Sequence, residues 1–221
     1  MDMNWFKNAV DYYAVGLSLA GIIVGSRQFL RHWAYRHIKR IWGFHDRDRV
    51  LLVCSELDEP QTRQLVEPRE FIYTMKYGDI DAWVEVVFSL LRVYPNIELW
   101  LVSSGELEQA KVDLDNHIVI IGGPDYNALA ERILRSGKPR IGYRSPNGVG
   151  SKIFPEEICI FDKLSGGDYA CGDIGEDFGY FERIKNPFDS SKKIILIGGC
   201  HTVGVTGAAK MFSAFSEGRP L

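Results

Sequence analysis

The sequence predicts an α/β protein: a mainly parallel sheet with an inserted antiparallel excursion, preceded by an N-terminal transmembrane helix. Three observations predict it. Short apolar, β-branched runs alternate with helical segments, as in a parallel sheet covered on both faces. Two of those runs end in Gly-Gly and lead into a helix, as IVIIGGPDYNALAERIL and IILIGGCHTVGVTGAAKMF. Ahead of them all, the uncharged stretch YYAVGLSLAGIIV (Tyr12 to Val24) is followed by a basic collar.

The collar stands out in the charge distribution. Across the 221 residues the net charge is −3. Residues 26–49 hold Arg27, Arg31, Arg36, Lys39, Arg40, Arg47 and Arg49 against Asp46 and Asp48, whereas residues 50–221 are net acidic. An acidic body is unlike a generic nucleic-acid binder, so DNA is not an expected partner. With 46% hydrophobic and 25% charged residues, disorder, collagen and a disulfide scaffold are excluded. Cys54, Cys159, Cys171 and Cys200 are widely spaced with no CxxC, which suits reduced thiols.

With Ala9, Val10, Phe29 and Leu30 added, the N-terminal apolar stretch approaches the ~20 residues that cross a bilayer. Tyr12 and Tyr13 on one side, and Trp33, Tyr35 and Trp42 on the other, suit interfacial belts. The cations lie on the C-terminal side, so the positive-inside rule puts the N-terminus outside and the body in the cytoplasm, as a single-pass protein expected at the cell inner membrane. A buried or interfacial helix and a cleaved signal peptide are the rival readings; the segment MDMNWFKNAVD lacks the basic start a signal peptide needs. Gly16/Ala20 and Gly21/Gly25 form small-xxx-small pairs that let helices approach in lipid. One span makes no pore alone, so membrane activity requires a homo-oligomer. Residues 1–30 are assigned to the transmembrane helix, 31–48 to a basic juxtamembrane helix and linker closed by Gly43, and 49–221 to the ligand-sensing domain.

That domain opens on the strand Val50–Ser55. A helix follows over Ile80–Val93, where Ile80, Trp83, Val84, Val87, Leu90 and Leu91 recur at helical spacing as one apolar face. Ile97–Val102 and His117–Ile121 read as the next strands, with a helix over Asp125–Arg135. Ile194–Ile197 is the last strand and Thr206–Phe215 the last helix. Residues 138–190 break the pattern with Gly- and Pro-rich segments and short strands at Glu157–Phe161 and Tyr180–Lys185, the antiparallel excursion.

The Gly-Gly turns carry the chemical signal. Glycine at a strand end lets a ligand approach main-chain N–H groups. The helix that follows adds free donors and a partial positive charge. Together these make an anion site at the carboxyl ends of the strands, suited to phosphate. The candidate ligand residues are therefore Gly122, Gly123, Pro124 and Asn127 at one turn, and Gly198, Gly199, His201, Thr202 and Thr206 at the other. The alternative is that the glycines only shape tight turns. Tyr77-Gly78-Asp79-Ile80-Asp81 supplies a third loop, in which Asp79 is either a helix N-cap or, like Asp81, an acceptor for a ribose hydroxyl or base edge. Arg183 and Lys185 are read either as phosphate-neutralising or as solvated.

Catalysis has less support. Cys200 and His201 are neighbours on an extended strand end and point opposite ways. His117, which opens a strand, is read as structural. Glu56, Asp58 and Glu59 suit a solvated loop. No GxGxxG, GxxxxGK[ST], HExxH or GxSxG is present, and neither a cofactor nor a metal is expected.

A single span, a basic juxtamembrane helix and a Rossmann-like cytosolic body with Gly-rich turns resemble the layout of single-pass CRISPR-associated membrane effectors with a CARF-type sensor, although the GGPDYN and GGCHTVGVTG segments themselves follow no CARF pattern. A Rossmann-type nucleotide sensor of another prokaryotic defence system fits as well. The resemblance implies a body that binds a nucleotide second messenger, cyclic oligoadenylate in the CARF case, and a membrane segment that responds. The alternative is a membrane-anchored enzyme acting on a nucleotide or nucleotide-sugar.

Overall fold

A computed structural model describes residues 17–18, 21–26, 35–55, 77–109, 113–144, 159–170 and 176–216. The chain divides into two compact units, Met1–Ile41 and Trp42–Leu221. In the first, residues 17–18, 21–26 and 35–41 are helical, and Leu17, Ile22, Ile23 and Val24 are exposed. No helix among the described residues is long and apolar enough to cross a membrane. The segment expected to span lies largely outside those residues.

The second unit begins where that helix ends, at Trp42, just before Gly43. Its framework is a five-stranded sheet in the order β2-β1-β3-β8-β7, from β1 (Arg49–Cys54), β2 (Glu98–Ser103), β3 (His117–Ile121), β7 (Gly179–Lys185) and β8 (Lys193–Gly199). The first three and β8 run parallel; β7 is antiparallel to β8. β1, β3 and β8 are continuous apolar runs of the sequence, buried on both sides, whereas the edge strands β2 and β7 are partly exposed. One face carries Leu51, Val53, Ile118, Ile120, Ile194 and Leu196, packed against Leu129, Ile133 and Leu134 of α3 (Ala128–Arg135) and Ile160 of a second sheet. The alternate residues, among them Leu52, Val119, Ile195 and Ile197, line the other face, which α1 (Tyr77–Val93) and α4 (Thr202–Ser216) cover while packing together. α2 (Ser104–Gln109) links β2 to β3.

The second sheet is antiparallel, in the order β4-β5-β6, from Ile141–Arg144, Cys159–Asp162 and Asp168–Ala170. Its hairpin is held by Asp162, which accepts from Arg140 Nε at 2.6 Å, Leu164 N at 2.9 Å and Ser165 Oγ at 2.7 Å. This is the expected excursion, with one correction. Tyr180–Lys185, assigned to it from sequence, edges the main sheet instead, because its register with β8 runs from Gly179↔Gly199 to Lys185↔Lys193.

A second correction concerns α1. Its buried face is Ala82, Val86, Leu90 and Val93, whereas Ile80, Val84, Phe88 and Leu91 are exposed. Apolar residues occupy two sides of this helix, so spacing alone named the wrong side for three of the six expected core residues.

Candidate functional site

The strand order fixes where a ligand fits. The helix after β1 packs on one face of the sheet and the helix after β3 on the other, so β1 and β3, adjacent in the sheet, lead their chains apart at their carboxyl ends. This is the topological switch point at which open α/β sheets bind ligands. The strands end there in small residues: β1 runs into Ser55, β2 ends at Ser103 before Ser104, and β3 and β8 run into Gly122-Gly123 and Gly198-Gly199.

At the centre, Ser55 Oγ donates to Asp79 Oδ2. Both are buried, at 1% and 3% exposure. Asp79 does not cap α1 as its position in the sequence suggested; the helix starts at Tyr77 and Asp79 lies in its first turn. The carboxylate sits under Gly122, where φ is +103° and a Cβ would stand 2.8 Å from Asp79 Oδ2 and 3.1 Å from Ser55 Oγ. The first glycine of this turn is thus required by its backbone and by the pair beneath it. Burial, and secondarily the Asp79 charge, push the neighbouring Cys54 thiol up to about 12.

Gly123 is different. A Cβ there would meet nothing nearer than Gly199 O and Tyr143 Oη, each at 3.8 Å. Tyr143 Oη donates to Asp125 Oδ2 at 2.6 Å, and burial followed by that carboxylate raise its pKa far above the phenol range. Tyr143 and Pro124 also line a cavity of about 220 Å3 between α3 and the second sheet, with Leu134, Arg135, Gly142 and Phe161. Glu131 and Lys163 complete the wall, and Arg135 pairs with Glu131 at 2.7 Å.

Asn127 is fully buried and caps α3: Oδ1 accepts from Ala130 N at 3.1 Å, while Nδ2 donates to Ile121 O at 3.1 Å and Val53 O at 3.4 Å. It ties the ends of β1 and β3 to the helix and presents no side chain to a ligand, contrary to the expected amide contact.

The second Gly-Gly turn is filled by the protein itself. Tyr180 Oη stands where a Cβ on Gly198 would be, and the first turn of α4, at Gly204 and Val205, closes on Gly199. The N-terminus of α4 already holds an anion: the Asp177 carboxylate accepts from His201 N at 3.1 Å and from Gly204 N. The helix begins at Thr202, earlier than expected; Thr202 is exposed, His201 is half-buried, and Thr206 Oγ1 donates back to Thr202 O at 3.0 Å. Cys200 is turned into the core, with Sγ 3.5 Å from Tyr169 O. The phosphate expectation at this turn is corrected on that ground: a carboxylate occupies the donors that a phosphate would use.

Asp81 lies on the exposed side of α1. Arg183 reaches toward Gly43, and Lys185 pairs with Lys193, both away from the glycine turns at the other end of β8. His117 is structural, as read: buried, it accepts from Lys193 N at 3.1 Å on Nδ1, which leaves Nε2 to donate to Asp48 Oδ2 at 3.3 Å. Burial lowers its pKa more than Asp48 raises it. Glu56, Asp58, Glu59 and Cys171 lie outside the described residues. No group of three or more metal-ligating side chains occurs among the described residues.

Sequence reasoning missed Ser55, Asp177, Tyr143 and the cavity. A small polar residue directly after an apolar strand was a usable signal for Ser55; the others are brought in by tertiary packing of the excursion. No family model matches the chain, and no curated protein matches it.

Proposed function

We propose that residues 42–216 bind a nucleotide-type phosphorylated ligand at the carboxyl ends of β1 and β3, and that the chain is a membrane-anchored sensor and effector of prokaryotic antiviral defence. One observation carries the binding reading: at the switch point the open turn at Gly123 adjoins, through Tyr143, a cavity with apolar walls and a charged rim of Arg135, Lys163 and Glu131, the last paired to Arg135. Pro124, Leu134, Tyr143 and Phe161 offer surface for a base or sugar face, while Arg135 and Lys163 offer charge for phosphate. The apolar N-terminus and basic collar support the anchor, by the positive-inside rule. Ligand binding then favours one arrangement of a homo-oligomer, to the extent that contacts differ between arrangements.

The test is a thermal-shift and calorimetric panel on the full chain against ATP, cyclic dinucleotides and cyclic oligoadenylates. Binding of at least one, weakened at least tenfold by Arg135→Glu and by Gly123→Val, is the expected result. A panel with no binder, or variants that bind as the parent does, overturns the site. Turnover of the bound nucleotide would favour the enzyme reading.

A further inference from the structure

We propose that α1 is a self-association seam, and that two copies of this chain pair through it antiparallel about a two-fold axis. The helix carries two apolar faces, and only one meets the sheet. On the other, Ile80, Val84 and Leu91 are 39%, 37% and 44% exposed, Val87 is half-buried between them, and Phe88 beside the row is 62% exposed. Residues 80, 84, 87 and 91 follow each other at intervals of four, three and four. That is the spacing of a helix seam that receives a partner helix, a pattern a solvated face has no reason to keep.

Charge selects the occupant and its direction. Asp81 and Glu85 flank the row toward the start of α1, and Arg92 flanks it on the same side in the last turn. When a second copy of α1 lies antiparallel, Ile80 faces Leu91 of the other copy and Val84 faces Val87. The same flanks then meet, which sets Asp81 beside Arg92 twice over, once on each side of the two-fold axis, with the two Glu85 side chains across the axis as the one like-charge contact. A parallel pairing would instead send the charged flanks of the two copies to opposite sides of the seam, so that neither contact forms. The antiparallel arrangement also opposes the two helix dipoles. The seam is self-complementary in one orientation only, so the partner it fits is another molecule of this protein.

The seam gives the homo-oligomer of the ligand-sensing reading a surface, and its test reads association alone, so either can fail without the other. Sedimentation of the full chain in non-ionic detergent is expected to show concentration-dependent dimers. Phe88→Glu, on an exposed position that leaves the core intact, is expected to weaken them more than tenfold with unchanged circular dichroism. Asp81→Arg and Arg92→Asp each place like charges across the axis twice and should each shift the protein toward monomer. An equimolar mixture of those two variants restores both contacts and should dimerise as the parent does, as should the double variant D81R/R92D. A chain that is monomeric at every concentration overturns the proposal. So does a dimer indifferent to Phe88→Glu, a mixture that fails to restore pairing, or slow hydrogen exchange on the outer face of α1 at concentrations where the chain is monomeric, which would place another part of the same chain over it.

Discussion

Ser55, one residue past β1, donates its hydroxyl to Asp79 in the first turn of α1, and the pair is buried beneath Gly122. Twenty-four residues separate them in sequence, yet the bond fastens the start of α1 to the end of β1 at the switch point. Removing either partner takes one hydrogen bond from a buried polar group, at about 1–3 kcal/mol. Ser55→Ala and Asp79→Ala are expected to lower the urea midpoint by corresponding amounts, and the double variant by less than their sum, since they share one interaction. Additive losses would show that the two are not coupled.

The same carboxylate acts on Cys54. Because burial is the larger cause of its raised pKa, Asp79→Asn is expected to lower the thiol pKa from about 12 while leaving it above the ordinary value of 9.0. Labelling with a disulfide reagent at pH 8 should therefore stay slow in the native state of both proteins. Rapid labelling of Cys54 in Asp79→Asn would make the charge the dominant cause.

The two glycines of the first turn should separate cleanly. Gly122→Ala meets a positive φ and the Ser55–Asp79 pair, and is expected to cost roughly 2–3 kcal/mol. Gly123→Ala meets ordinary van der Waals distances and should unfold within about 0.5 kcal/mol of the parent. Chemical denaturation of both measures the difference; equal losses would mean that the turn is held together as a unit.

Asp177 is expected to stabilise α4 as a cap. Its loss in Asp177→Ala should cost about 1 kcal/mol, while Asp177→Asn, which still presents an acceptor oxygen, should keep most of it. Thermal unfolding of the pair decides between a cap and a purely electrostatic role, because an uncharged acceptor would fail in the second case.

His117 supplies a pH dependence. Its folded pKa lies below the ordinary 6.5, so the folded state prefers the neutral ring that accepts from Lys193 N. The unfolded chain binds the proton first as pH falls. The contribution is therefore complete above about pH 6.5 and declines as pH drops from there toward the lower, folded value. A stability profile measured from pH 8 to 5 should flatten in this window in His117→Gln, relative to the parent. An unchanged profile would assign the dependence to other groups.

The layers of the main sheet were legible in the sequence because its parallel strands are continuous apolar runs, and nothing else in a chain of this composition reads that way. Asn127 was found for the right position and given the wrong task, while Gly122 has the turn-shaping role that the sequence offered as one of its two readings. A side chain that caps a helix and one that holds a ligand look alike in sequence, and only burial distinguishes them. Asp177 and Tyr143 were illegible because whole elements separate each from its partner, β7 and β8 in the first case and α3 in the second, and neither periodicity nor turn chemistry points to such a contact. The outward row on α1 was visible as hydrophobic spacing, but spacing does not say which of two faces meets the core.

Strand β8 touches both ends of the sheet. At one end Lys193 is held by the carbonyl of Gly43 and by His117, where Trp42 and Phe44 bring the chain into the unit, Trp42 edge-on to Phe181 at 5.6 Å and Phe44 to His117 at 5.1 Å. At the other end Gly199 stands beside Gly123. Its seven residues span roughly 20 Å of hydrogen-bonded backbone with no hinge between. A strand so clamped joins the crevice to the aromatic cluster of Trp42, Phe44 and Phe181 by one unbroken run of paired backbone.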